Sequence, residues 1–75
     1  MKIGSLCVIR YNLYLTTAAY LMNYDSTDKF IAEINKGEIA LVLDSMIYGK
    51  NELVFVLHGN SGKVGWLYRD EVTMI

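Results

Sequence analysis

Proline is absent from the chain, and cysteine, histidine and tryptophan each occur once. A single cysteine, Cys7, cannot form an intramolecular disulfide. Small secreted domains usually rely on such staples, so an intracellular, cytoplasmic setting is expected. A single histidine, His58, with no cysteine pair leaves a zinc site short of ligands. No stretch is apolar for long enough to cross a bilayer, because the Leu13–Met22 segment is short and interrupted by threonine. Nor does an apolar stretch with a cleavage site follow Met1, as a secretory signal would require. Neither sign of charge dominates: seven basic and eight acidic side chains give a net charge of −1. The basic residues are scattered among acids, which is a poor surface for tracking phosphates. Low-complexity tracts and internal repeats are also missing.

The residues present form a pattern of strands. The 75 residues suffice for one domain, and 53% of them are hydrophobic. A domain this small buries a modest share of its surface. Apolar surface should therefore remain after folding, which favours a homo-oligomer or a complex with another protein over a solitary monomer. Ser5–Ile9 is β-branched and apolar and makes a good first strand. Asn12 is a natural bend, and Leu13–Thr17 alternates as a second stretch of strand. The polar cluster Asn23–Asp28 is turn chemistry, with room for a short helical turn near Thr27. Phe30–Ile34 reads either as a short capped helix closed by Gly37 or as an extended arm with Ala32 and Ile34 turned inward. The arm is the preferred reading, since Lys36-Gly37-Glu38 looks like a turn feeding directly into a strand. Ile39–Leu43 and Leu53–Leu57 are wholly apolar strands, as strands covered on both faces would be. Asp44–Asn51 reads as a loop between them. His58–Gly62 reads as a hairpin turn, Lys63–Tyr68 as the returning strand, and Thr73–Ile75 as a last short strand. Short strands, frequent turns and no clear helix make the chain all-β.

The stretch Gly62-Lys63-Val64-Gly65-Trp66-Leu67, followed by Val72, resembles the late hairpin and short helical turn of SH3-like barrels. The turn Ile34–Ile39 followed by Leu41-Val42-Leu43 resembles that family's diverging turn and next strand. Gly65-Trp66 is similar to a pair common in the bacterial branch. The resemblance covers about Ile34 to Ile75. It implies a small SH3-like barrel of about five strands, with a long arm between the first strand region and Ile39–Leu43. It also implies a register: Ile39, Leu41, Val54, Val56, Leu67 and Val72 inward, with Trp66, Phe55 and Leu57 facing away from the barrel centre. The chain departs from the peptide-binding version of the fold. Glu52-Leu53 lies about where that version's Trp begins a strand, Tyr68 stands where its Pro would be, and Glu71 where its late Tyr would be. In general character the chain also resembles the short open reading frames of tailed phages and bacteria.

No constellation meets the needs of an active site, so the chain is not expected to be an enzyme. His58 is expected to cap a hairpin, and Cys7 to be a buried, inert thiol. Asp25, Asp28, Glu33 and Glu38 lack the spacing of a calcium loop. The glycines at 59, 62 and 65 read as turn glycines and do not form a phosphate-cradling loop. No cofactor or metal is expected. The notable feature is a set of six tyrosines and one tryptophan. Some will pad a small barrel. The functional reading is a groove between the Ala18–Lys36 arm and the Asp44–Asn51 loop, floored by Trp66 and Tyr68 and joined by Tyr20, Tyr24 and Tyr48. Aromatic rings with a polar handle suit protein interfaces. The expected function is thus a non-catalytic protein-interaction or self-assembly module without a membrane partner. A small barrel that binds RNA or single-stranded DNA is the alternative, since Lys36, Lys50 and Lys63 fall on turns and loops.

Overall fold

A computed structural model describes residues 3–16 and 30–75. Among these residues seven strands follow one another: β1 (Leu6–Ile9), β2 (Leu13–Thr16), β3 (Phe30–Ile34), β4 (Ile39–Tyr48), β5 (Asn51–His58), β6 (Val64–Tyr68) and β7 (Val72–Met74). A three-residue 3-10 turn, Arg69–Glu71, links the last two. Every pairing is antiparallel, in the order β3-β2-β6-β5-β4-β1-β7. The result is the expected small all-β, barrel-like fold, a single sheet curled over its own core. The extended arm supplies one of them, β3, and the described residues hold seven strands where about five were expected. The stretch around Thr27 lies outside the described residues.

The curl follows from the connections. Consecutive strands β1 and β2 lie far apart in the sheet order, and so do β3 and β4. The corners at Arg10–Asn12 and Asn35–Glu38 therefore carry the chain from one half of the sheet to the other. These two corners are stitched together. Gly37 N–H donates to the Ile9 carbonyl at 2.8 Å, Ile9 N–H to the Glu38 carbonyl at 2.9 Å, and Lys36 N–H to Asn12 Oδ1 at 2.9 Å. Gly37 has φ +92°, a conformation a side chain would strain. Bulges at Val42/Asp44 and Leu15/Thr16 sharpen the bend.

The concave face holds the core: Cys7, Ile9, Leu15, Ile34, Ala40, Val42, Val54, Val56, Leu67 and Val72. Phe30–Ile34 is strand and Ile34 is fully buried, as the extended-arm reading required. The inward positions of Val54, Val56, Leu67 and Val72 also match expectation. Two features differ. Ile39 and Leu41 do not point inward; Ala40 and Val42 do, and Ile39 is 42% exposed. A one-residue change of register moves every side chain to the other face, and a run that is apolar at each position does not reveal the choice. In addition, Asp44–Tyr48 is not loop. β4 runs on through Asp44, Ser45, Met46, Ile47 and Tyr48, paired residue by residue with β5 as far as Asn51. Its polar residues Asp44 and Ser45 misled, although the ladder pairs them with Phe55 and Val54; only the far end of the hairpin, at Ile47 and Tyr48, leaves large apolar side chains exposed. Gly49, at φ +61°, closes the hairpin with Lys50 in two residues.

Candidate interaction surface

The convex face of the sheet carries many apolar residues, with exposed Asp44 opposite Phe55 and exposed Thr73 opposite Val8. Residues opposite one another in a ladder share a face, so the register places Leu6, Leu41, Leu57 and Val64 in one row across β1, β4, β5 and β6. Val8 and Ile39 flank that row on one side, and Phe55 and Trp66 on the other. The Phe55 and Trp66 rings stack with centroids 5.1 Å apart and planes tilted by 42°. Leu53 and Tyr68 form the next pair, where Leu53 is fully buried. Leu6 is 48% and Val64 39% exposed, and none of the six residues in the first two rows is charged.

Of the aromatic residues expected to form a groove, Trp66 and Tyr68 share this convex face. Tyr48 is exposed at the far end of the β4–β5 hairpin. Tyr20 and Tyr24 lie outside the described residues. Tyr68 also lines an open cleft of about 660 Å³ with Arg10, Tyr11, Lys50, Arg69 and Glu71. Trp66 does not line that cleft. Arg10 is fixed there by the Asp70 carbonyl, which accepts a hydrogen bond from its guanidinium at 3.0 Å, and its charge lies 5.5 Å from the centre of the Tyr11 ring. The guanidinium of Arg69 donates to the Val72 carbonyl at 3.2 Å.

Glu71 closes the 3-10 turn, its carboxylate accepting the Tyr68 N–H at 2.9 Å. Burial raises its pKa, Tyr68 partly offsets this, and the neighbouring Asp70 raises it further. A carboxyl whose folded pKa is raised opposes folding when ionised. The cost is absent below the ordinary value of 4.5 and complete above the raised one. Glu71→Gln retains an acceptor for Tyr68. It is expected to stabilise the protein by less than about 1 kcal/mol at pH 7, because the group is only half buried, and to change nothing at pH 3. Equal gains at both pH values in urea unfolding would refute this.

His58 does more than cap its hairpin. It is 2% exposed and joins two turns. Nε2 lies 3.0 Å from Glu38 Oε1 and Nδ1 lies 2.7 Å from Ser61 Oγ. A carboxylate can only accept, so Nε2 carries the proton; in the neutral ring Nδ1 accepts the Ser61 hydroxyl. Glu38 also accepts the Asn35 N–H at 2.6 Å and the side-chain amide of Asn60. The Asn35 contact is the main cause of its lowered pKa, with His58 and Asn60 adding to it against a burial penalty. Sequence reading missed this clasp because Glu38 and His58 are 20 residues apart. Gly59 and Gly62 belong to the hairpin turn, whereas Gly65 is buried within β6 opposite Val56.

Cys7 is buried, and burial raises its pKa against a smaller opposing influence of Arg69, so the thiol is kept un-ionised and unreactive. Among the described residues no group of His, Cys, Asp and Glu side chains could hold a metal ion. Among them, too, no helix is long and apolar enough to cross a membrane.

No protein-family model matches the chain, and no curated protein or solved structure is detectably similar to it.

Proposed function

We propose that this chain is a non-catalytic protein-interaction module, an SH3-like barrel that docks through its convex sheet face. The observation that carries the reading is the uncharged aliphatic row Leu6–Leu41–Leu57–Val64 with Val8 and Ile39 beside it. Solvent-facing positions of a half-covered sheet are normally polar, and a contiguous apolar patch on a small domain marks a contact surface. Trp66 and Phe55 extend the patch with large rings of the kind that anchor interfaces. A lone buried cysteine also suits a reducing, cytoplasmic setting. The test is a photo-crosslinking amino acid placed at position 6, 64 or 47 in the cell that makes the protein. Protein adducts from positions 6 and 64 and none from position 47 are expected. Crosslinking from 47 alone, or from none of the three, would defeat the reading.

One observation favours single-stranded nucleic acid instead. Arg10, Lys50 and Arg69 share the open cleft with Tyr11 and Tyr68, and cations beside aromatic rings suit an unstacked strand. Glu52, Asp70 and Glu71 line the same cleft and oppose a polyanion, so this reading ranks second. Salt-dependent binding of mixed-sequence RNA or single-stranded DNA, lost in Arg10→Ala, would reverse the order.

A further inference from the structure

Among the described residues β7 (Val72–Met74) stands at one end of the strand order, with β1 as its one neighbour. We propose that Arg69 guards this margin of the sheet: its side chain keeps the edge of β7 from pairing with the same edge of another copy of the chain.

Alternation along the ladder shows which groups lie on the edge. Arg10 N–H donates to the Glu71 carbonyl at 3.0 Å, and Ile75 N–H to the Leu6 carbonyl at 3.2 Å. In an antiparallel pair every second residue turns its N–H and C=O toward the partner strand. Glu71, Thr73 and Ile75 therefore face β1, and Val72 and Met74 face outward. An outward row of backbone groups is a template for a further strand. Val72, Thr73 and Ile75 are strand formers, and proline, which would blunt such an edge, is absent from the chain. Thr73 and Ile75 are exposed.

At Val72 the template is already occupied. The Val72 N–H donates to the Arg69 carbonyl, which closes the 3-10 turn, and the Val72 carbonyl accepts from the Arg69 guanidinium at 3.2 Å. One residue thus takes both outward groups of Val72. An added strand would have to displace the guanidinium from that carbonyl and draw its charge out of water, which is costly without a new partner. β7 is three residues long and turns only two of them outward. A block at Val72 leaves Met74 alone, too little to hold another strand.

Light scattering on the whole chain across a dilution series tests this. Arg69→Ala, checked for native folding by Trp66 emission, should show a weight-average mass that rises with concentration to at least twice the wild-type value at the same concentration. Infrared absorption should show added intermolecular antiparallel sheet. In Arg69→Ala/Met74→Pro the proline removes the outward N–H of Met74, and the mass should return to that of the wild type. Arg69→Ala that matches the wild type at every concentration overturns the guard. Association that persists in the natively folded double variant, or that sets in only as native Trp66 emission is lost, overturns it as well.

Discussion

Ile34→Ala is expected to lower stability by about 2–5 kcal/mol, while Ile39→Ala, on the next strand in the chain, should cost less than about 1 kcal/mol. The two isoleucines flank the same turn, yet they face opposite sides of the sheet. Ile34 is fully buried, paired with Leu13 and packed into the core cluster that includes Leu15 and Val54. Removing most of its side chain forfeits the transfer free energy and leaves a cavity that a tightly curled sheet closes only in part. Ile39 is paired with Val8 on the convex face and 42% exposed, so its truncation opens no cavity. A domain of this length is stable by about 4–11 kcal/mol in total, so the first substitution consumes a large share and the second a small one. Urea unfolding followed by Trp66 emission reads both midpoints, and an unchanged slope confirms that the two-state transition is preserved. Equal losses would mean that β4 is registered one residue away, with Ile39 and Leu41 inside.

That comparison marks where the sequence stopped being informative. Strand existence was legible because β-branched and apolar runs alternated with Gly and Asn punctuation. The Lys36-Gly37-Glu38 turn and the His58–Gly62 turn were placed correctly on those grounds, and Phe30–Ile34 was read as extended because a turn followed it immediately. The inward set Val54, Val56, Leu67 and Val72 was legible through the resemblance to a barrel. The facing of β4 was not, because Ile39-Ala40-Leu41-Val42-Leu43 is apolar at every position and a period-2 signal needs polar residues to appear. Ala40 takes the inner position between Cys7 and His58 and is 1% exposed. The continuation of β4 through Asp44 and Ser45 was hidden for the opposite reason: polar residues stand there opposite Phe55 and Val54, where strand patterning would put apolar ones. The convex row could not be read at all before pairing was known. Leu6, Leu41, Leu57 and Val64 come from four separate strands, and only the ladder register brings them side by side. Of the proposed site residues, Trp66 and Tyr68 belong to that face, but the partner residues that make it a surface are aliphatic.

The clasp between the two turns supports the other large effect. His58→Ala is expected to cost about 2–4 kcal/mol, combining a cavity with the loss of hydrogen bonds to Ser61 and Glu38. Ser61→Ala alone should cost about 1 kcal/mol. Because both side chains belong to one chain of hydrogen bonds, the double variant should lose less than the sum, with a coupling of at least about 0.5 kcal/mol. Strict additivity would show that the 2.7 Å contact does not persist in solution. The acid limb supplies an independent readout. Glu38 has a lowered folded pKa, caused first by the Asn35 N–H and then by His58 and Asn60. Its contribution is therefore fully present above its ordinary value of 4.5 and is lost as pH falls through the lowered one. Glu71 acts with the opposite sign and in the window above 4.5, where ionisation of its half-buried carboxyl opposes folding. The two windows do not overlap, so stability measured from pH 2 to pH 7 separates the groups. Glu38→Gln should flatten the curve below 4.5. If Glu38→Gln instead left the curve below 4.5 as steep as in the wild type, Glu38 would not be held by the turn that the geometry assigns to it.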